Sequence, residues 1–179
     1  MTHSSGARVR SYDYRMGLMR IATERVFIRP PRPTDLETFM EYRNDLDWMQ
    51  YQGFKGQPRE VYEDRLFSGD GEYMDDGLQL AIADRATDEL LGDLYLKREG
   101  DTVWVGYAIH PKHALQGYVF EAMCAIITWG RYLPLARIKA SVMAANHPSR
   151  ELLKKLGFTC TGMQDGELIY EIELEEPDW

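Results

Sequence analysis

The sequence predicts an α+β domain in which a mixed β-sheet carries helices on both faces. Three observations lead to this class. Segments between residues 78 and 110 alternate apolar and polar side chains and are joined by short turns, as in an antiparallel meander. Residues 117–129 have helical apolar spacing instead. Further alternating segments follow that helix, so strands and helices are mixed along the chain.

The first part of the chain predicts one strand and two helices. Val26 and Ile28 alternate with their neighbours in a strand at residues 24–29, and the prolines that follow end it because proline cannot donate to a ladder. Thr34 with Glu37 three residues later matches a capping box, which predicts a helix reaching about residue 45. A proline at position 58 can open a second helix that runs to residue 67.

The rest of the chain completes a sheet of about seven strands. Gly157 predicts the end of the last helix, because glycine is the usual residue after a helix C-terminus. The predicted elements are strands at 78–82, 90–97 and 102–110, a helix at 117–129, a strand at 136–144, a helix at 147–156, and strands at 158–162 and 167–174.

Composition bounds the function. The chain has 179 residues and a net charge of -8, which disfavours a nucleic-acid partner and permits a cationic one. It has no apolar run long enough to span a membrane, no secretory signal and no metal-ligand cluster. Cys124 and Cys160 form no CxxC pair, so we expect a cytoplasmic protein. Residues 1–20 read as a flexible arm and 21–179 as a single domain, and a homodimer is compatible with the sequence.

Two segments could carry chemistry. At Gly117 a strand runs through a turn into a helix N-terminus, where unpaired amides and the helix dipole suit a phosphate. Glycine also lets a ligand approach the backbone closely. On spacing alone, a plain strand-to-helix turn explains this segment as well. The second segment places Asn146 and Ser149 at a helix start, where an N-cap and a solvated first-turn residue are the simpler interpretations.

Taken together, these segments resemble the GNAT acetyltransferase superfamily. The matching motifs are Gly-Tyr-x-Ile-x-Pro at 106–111, Gln-Gly-Tyr-x-x-Glu-Ala at 116–122, Asn-x-x-Ser at 146–149 and Leu-Leu-x-Lys-Leu-Gly-Phe at 152–158. Within the superfamily the sequence is most similar to the Rim-type branch, which acetylates ribosomal protein N-termini, and to relatives that modify small amines. The resemblance covers about residues 22–175.

The resemblance implies a GNAT-like fold that binds acetyl-CoA between two splayed central strands. It implies direct transfer of the acetyl group to a primary amine, on a small molecule or a protein N-terminus. Ser149 would face the thioester sulfur as the catalytic residue, because a hydroxyl donor can stabilise or protonate the departing thiolate. The implied cofactor-binding residues are Ile109 and Asn146 for the pantetheine arm, and Gln116, Gly117, Tyr118 and Val119 for the pyrophosphate.

The phosphate loop departs from the family pattern. Ala114, Leu115 and Val119 replace a long polar residue and two small ones. Leucine disfavours a positive φ angle, so Leu115 is expected to narrow the approach to the backbone. This departure supports an alternative hypothesis, a catalytically weak CoA-binding or regulatory domain. His110 is a weak candidate for the general base, because its ordinary pKa lies near neutrality.

The acceptor side is predicted from aromatic and acidic residues. Trp48, Tyr51 and Phe54 could enclose an amine, and core packing explains them equally well. An acidic run could attract a cationic acceptor, although such runs are more often solvated loops; it comprises Asp70, Glu72, Asp75 and Asp76. Cys124 reads as a small core residue of its helix.

Overall fold

The structure is a computed structural model that describes residues 20–68 and 74–177. Its described part contains one eight-stranded sheet in the order β1-β2-β3-β4-β5-β6-β8-β7. The strands are β1 Ile21–Ala22, β2 Val26–Arg29, β3 Leu78–Asp84, β4 Leu90–Glu99, β5 Thr102–Ile109, β6 Arg137–Val142, β7 Thr159–Gln164 and β8 Glu167–Glu173; the helices are α1 Leu36–Arg43, α2 Arg59–Phe67, α3 Tyr118–Gly130 and α4 His147–Lys155.

The predicted α+β class is confirmed, and one strand was missed. That strand, β1, has only two residues, too few to show an alternating pattern, and pairs with Phe27 and Ile28 of β2. Residues 1–19 of the predicted arm lie outside the described residues, as do Asp70 and Glu72 of the acidic run. No helix in the described ranges is both long and apolar enough to cross a bilayer.

The strands β5 and β6 separate partway along their length. They are the one parallel pair in the described sheet, and their register covers only three residue pairs, from Thr102↔Arg137 to Trp104↔Lys139. Beyond that point β5 stays paired with β4 as far as Ile109, while β6 stays paired with β8. The two strands therefore open a wedge in the middle of the sheet.

Helices cover both faces of the sheet. On one face, α3 and α4 pack through a large apolar cluster that contains Ala122, Met123, Ile126 and Leu153. On the other, α1 and α2 pack through a smaller cluster built on aromatic rings. Cys124, expected in the core, is exposed instead, because it lies beside the apolar stripe of α3 rather than within it.

The start of α1 differs from the predicted capping box. A short 3-10 turn precedes the helix, and Asp35 accepts a hydrogen bond of 2.7 Å from the backbone N–H of Arg32. The same carboxylate receives the buried guanidinium of Arg29 at 2.7 Å. Glu37, the predicted partner of Thr34, pairs with Arg59 of α2. The buried ion pair with Arg29 accounts for Asp35 taking the capping role.

A buried polar cluster fixes α1 to the middle of the sheet. The Asp93 carboxylate on β4 accepts hydrogen bonds from Arg43 at 2.6 Å and Gln79 at 2.9 Å, and a third from the Tyr42 hydroxyl. Arg43 also donates to the carbonyl of Phe54 at 3.0 Å. Because burial makes such charges costly unless they are paired, the cluster holds the segment between α1 and α2 against the sheet.

Candidate active site

A cleft of about 880 Å³ opens where β5 and β6 separate. Four parts of the chain form its walls: the α1–α2 loop, the end of β5, the turn that enters α3, and the first turns of α4. The lining residues are Asp47 to Gln52, Tyr107 to Ile109, His113 to Phe120, Asn146, Pro148, Ser149, Glu151, Leu152 and Lys155.

The N-terminus of α3 opens onto this cleft. Gly117 is its N-cap residue, has a φ of 81° in the left-handed region, and supplies no capping side chain. The first amides of a helix have no partner within the helix, so those of α3 are available to a ligand. By contrast, α4 is capped by its own sequence, because Asn146 Oδ1 accepts from the Ser149 N–H at 3.3 Å. The four predicted pyrophosphate-binding residues, Gln116 to Val119, all line the cleft.

Arg25 of the β1–β2 turn holds the loop before α3 in place. Its guanidinium donates to the carbonyl of Gln116 at 2.9 Å and to Glu121 at 2.8 Å, and it stacks on the Tyr118 ring at 4.6 Å. The Gln116 carbonyl is thereby occupied outside the cleft. Sequence reasoning missed this role, because about ninety residues separate Arg25 from the loop and no periodic pattern connects them.

Leu115 has a positive φ angle, although leucine disfavours that region of backbone conformation. Its φ is 61°, and its side chain is 99% exposed. A non-glycine residue in this region costs about 1–2 kcal/mol, but the strain leaves the turn itself intact. The turn therefore forms with leucine at this position, and the exposed side chain is part of the cleft lining. The expected narrowing of the approach to the backbone stays a prediction.

Side chains of the α1–α2 loop reach the free edge of β5. The His110 N–H bonds to Leu91 of β4, so the alternation of an antiparallel pair turns the carbonyls of Tyr107 and Ile109 away from β4. Trp48 Nε1 donates to the Ile109 carbonyl at 2.8 Å, and Gln52 donates to the Tyr107 carbonyl at 3.2 Å. The backbone expected to pair with the pantetheine arm thus already has side-chain partners.

Ser149 lines the same cleft as the α3 turn and contacts β5. Its Oγ is 2.7 Å from the hydroxyl of Tyr107. Burial raises the pKa of Tyr107 to about 12, although the hydrogen bond with Ser149 acts in the opposite direction. The phenol therefore stays neutral at physiological pH. Tyr107 was noticed in the sequence only as part of a motif, and no role was predicted for it.

The weak general-base candidate His110 is buried and lies outside the cleft lining. Its Nδ1 accepts from the Lys112 N–H at 3.1 Å, and its Nε2 is 3.3 Å from the Glu41 carboxylate. Both ring nitrogens therefore have partners away from the cleft. Among the cleft-lining residues, the carboxylates belong to Asp47 and Glu151, both exposed.

The predicted acceptor residues divide into two groups. Trp48 and Tyr51 line the cleft, whereas Phe54 packs edge-on against Tyr62 at 5.4 Å and is not part of the lining. For Phe54, core packing is thus the correct interpretation. Asp75, like its neighbour at position 76, is exposed on a 3-10 turn and does not line the cleft either.

Comparison with known proteins identifies the family. The model of the acetyltransferase (GNAT) domain matches residues 25–159. The uncharacterized N-acetyltransferase YnaD of Bacillus subtilis (strain 168) is 30% identical over 149 residues, covering 80% of this chain and 85% of that protein. A GNAT-family acetyltransferase structure from Bacillus anthracis aligns with a TM-score of 0.77 at 26% identity, covering 88% and 100% of the two chains.

Two more distant structures share the fold. The ribosomal L7/L12 alpha-N-protein acetyltransferase RimL, in complex with coenzyme A, aligns with a TM-score of 0.73 at 13% identity, covering 89% of this chain and all of that one. The spermidine N-acetyltransferase of Vibrio cholerae, in complex with CoA and spermine, aligns with a TM-score of 0.68 at 14% identity, covering 86% and 98%.

The residues of the cleft suit acetyl-CoA. The open N-terminus of α3 at Gly117 offers amide donors to a pyrophosphate, and the wedge beside Ile109 offers room for an extended arm. With the family match, the cosubstrate follows. The chain belongs to the GNAT acetyltransferase family and is an acetyl-CoA-dependent acyltransferase.

Proposed function

We propose that this protein transfers the acetyl group of acetyl-CoA to a cationic primary amine in the cleft between β5 and β6. The observation that carries the proposal is the arrangement of the cleft walls. An uncapped helix N-terminus at Gly117 and a hydroxyl at Ser149 line the same cleft. An anion-binding end and a proton donor are what thioester chemistry needs from the protein.

Each binding role remains a proposal for a named group. The amides of Gln116 to Val119 bind the pyrophosphate, and Arg25 keeps the Gln116 carbonyl out of their way. The Ile109 backbone pairs with the pantetheine arm, by its N–H or after the Trp48 indole has moved. Asn146 contacts the arm from the start of α4 while its side chain caps that helix.

The transfer requires the protein to position the two reactants and to supply one proton to the departing thiolate. Acetyl-CoA supplies a thioester; an N–C bond forms, the C–S bond breaks, the ammonium loses two protons in all, and the thiolate takes up one. Ser149 holds a proton at Oγ on the cleft wall and directs it toward the departing sulfur. Asp47 and Glu151 are the lining carboxylates to which the ammonium can pass a proton, directly or through water.

The acceptor is a cation, either a polyamine-like small molecule or a protein N-terminus. The net charge of -8 favours encounter with a cation, and Asp47 and Glu151 place negative charge on the cleft itself. The aromatic rings of Trp48 and Tyr51 can contact an ammonium group. Two enzymes of the same fold are named as acetyltransferases of a ribosomal protein and of spermidine, so the fold accommodates both kinds of acceptor.

The branch, location and assembly complete the proposal. The motifs of residues 106–122 and 146–158 are the basis for a Rim-type assignment. The two cysteines without a CxxC pair favour a cytoplasmic location, and the chain length favours a single domain from residue 21. A homodimer is included as the assembly to test by sedimentation. The alternative, a catalytically weak CoA-binding or regulatory domain, rests on the loop departures at Ala114, Leu115 and Val119; the turn accommodates Leu115 with a φ of 61°.

Thiol release tests the proposed function. The purified protein is mixed with acetyl-CoA and, in turn, spermidine, a peptide with a free N-terminus, and the same peptide with an acetylated N-terminus and no lysine. We expect amine-dependent release of CoA with one of the first two and none with the third. Binding of acetyl-CoA without release for any amine would contradict the proposal and support the non-catalytic alternative.

A further inference from the structure

A hydroxyl pair connects two of the cleft walls, the end of β5 and the first turn of α4. The Tyr107 hydroxyl on β5 lies 2.7 Å from Ser149 Oγ in the first turn of α4, and both residues line the cleft. Ser149 has a second constraint, since its backbone N–H donates to Asn146 Oδ1 at 3.3 Å. That bond uses the backbone and leaves the serine hydroxyl free to turn. Tyr107 is therefore the group that sets the direction of the hydroxyl.

The direction of this hydrogen bond follows from the chemistry of the two groups. Each hydroxyl has one proton to donate, so only one of them can be the donor within the pair. A phenol is the stronger acid and hence the better donor, whereas an aliphatic hydroxyl accepts readily. Burial raises the pKa of Tyr107 to about 12, so it keeps its proton across the physiological range. The geometry allows either hydroxyl to donate, and on these chemical grounds we assign Tyr107 as the donor and Ser149 as the acceptor.

We propose that Tyr107 is a positioning residue that donates its hydrogen bond to Ser149 Oγ and thereby points the serine proton into the cleft. The inference rests on the proposed role of Ser149 in thiolate departure. Donation from the phenol polarises the serine O–H, because hydrogen bonds in a chain strengthen one another. Without the phenol, the serine hydroxyl can rotate and is a weaker donor.

The Tyr107–Ser149 hydrogen bond would also be present if its role were only to hold α4 against β5, so the experiment needs a matched control. Tyr170 of β8 provides it. Its hydroxyl is 3.2 Å from the Nε of Arg150, the residue after Ser149 on the same helix. Tyr170 is buried and is not part of the cleft lining. Tyr170→Phe therefore removes a phenol that ties the sheet to α4 without touching the proposed proton donor.

The test compares Tyr107→Phe, Ser149→Ala, the double variant and Tyr170→Phe. With the best amine from the thiol-release assay, Tyr107→Phe should lower kcat about 5- to 20-fold with acetyl-CoA affinity unchanged. In the Ser149→Ala background it should have no further effect, because the two residues act as one unit. Tyr170→Phe should leave kcat within about twofold. Independent effects in the double variant, or equal effects of Tyr107→Phe and Tyr170→Phe, would overturn the inference.

A second readout needs no acceptor. The pKa of the CoA thiol in the complex can be measured by ultraviolet absorbance of the thiolate as pH is raised. We expect Ser149→Ala and Tyr107→Phe both to raise that pKa, and Tyr170→Phe to leave it unchanged. If no amine gives turnover, the transfer reaction fails as a proposal, and this titration still decides the role of Tyr107. A thiol pKa identical in wild type and Tyr107→Phe would refute it.

Discussion

The indole Nε1 of Trp48 donates a hydrogen bond of 2.8 Å to the carbonyl oxygen of Ile109, at the edge of β5 that β6 leaves open. Through this contact, a side chain of the α1–α2 loop occupies the backbone carbonyl that the pantetheine arm is proposed to use. If the arm uses this carbonyl, cofactor binding must displace the indole, and we then expect binding and the position of the α1–α2 loop to be coupled.

Trp48→Phe should bind acetyl-CoA about threefold more tightly than wild type. The change keeps an aromatic ring and frees the carbonyl, and a net neutral hydrogen bond is worth roughly 0.5–1.5 kcal/mol. Calorimetry with acetyl-CoA measures the effect. Trp104→Phe is the control, since Trp104 lies in the paired first half of β5 beside Lys139. Weaker binding in Trp48→Phe would mean that the indole contacts the cofactor itself.

Ser149→Ala should lower kcat about 10- to 1,000-fold while leaving acetyl-CoA affinity nearly intact. The helix cap survives the change, because Asn146 accepts from the backbone N–H of residue 149 rather than from its hydroxyl. Steady-state kinetics and calorimetry on the same preparation separate the two effects. Ser141→Ala, which removes an exposed hydroxyl bonded to Glu167, is the control. An unchanged kcat would leave Ser149 as a residue of the helix start and nothing more.

Neutralising the cleft carboxylates should weaken the binding of a cationic acceptor. For Asp47→Asn with Glu151→Gln we expect KM for the amine to rise about 3- to 10-fold at low salt. The rise should be smaller at high salt, because salt already screens the attraction between these carboxylates and the amine in the wild-type protein. Asp75→Asn with Asp76→Asn is the charge-matched control, outside the cleft lining. Equal changes in the two double variants would indicate a general charge effect rather than an acceptor site.

Glu121 should make the stability of the α3 turn depend on pH. Burial acts to raise the pKa of this carboxyl, but hydrogen bonds from Thr23 and Arg25 outweigh it and lower the pKa. A lowered folded-state pKa adds stability above the unfolded value, which is lost as pH falls through the folded value. Glu121→Gln should therefore lower Tm by about 2–4 °C at pH 7, and the deficit should shrink in acid. Exposed Glu60→Gln is the control. A deficit that stays constant with pH would argue against this linkage.

Local patterns predicted the elements that carry the site. Helical spacing and a glycine at each relevant end placed α3 and α4 within one or two residues, and the turn at Gly117 was correctly placed between a strand and a helix. These features depend on residues close in sequence. At Leu115 the local preference against a positive φ did not predict the backbone conformation, because the turn connects two fixed elements and adopts a φ of 61° there.

Long-range side-chain contacts could not be predicted in this way. Trp48 and Ile109 are 61 residues apart, and Tyr107 and Ser149 are 42 residues apart. Each pair meets because the wedge beside β5 is bordered by the α1–α2 loop, which carries Trp48, and by the first turn of α4, which carries Ser149. Which polar atoms meet there depends on side-chain rotamers and on strand register, and neither leaves a periodic signal in the sequence.

The proposed anion site at the start of α3 can be tested with two glycines of nearly identical φ angle. Gly117 has a φ of 81° and Gly166, in the β7–β8 hairpin, a φ of 82°. A side chain at Gly117 would lie within 3.3 Å of Arg25 Nη2, whereas one at Gly166 would have nothing within 4 Å. Aspartate at either position meets the same backbone strain, but only at Gly117 does it place a negative charge at the helix N-terminus.

Calorimetric titration of acetyl-CoA into wild type, Gly117→Asp and Gly166→Asp is therefore the most direct measurement. We predict that wild type and Gly166→Asp bind with the same affinity, and that Gly117→Asp, checked for folding by circular dichroism, loses binding by at least about 100-fold through repulsion and blocking of the pyrophosphate. Equal affinity in folded Gly117→Asp and Gly166→Asp would contradict the account, because acetyl-CoA would then bind without the N-terminus of α3.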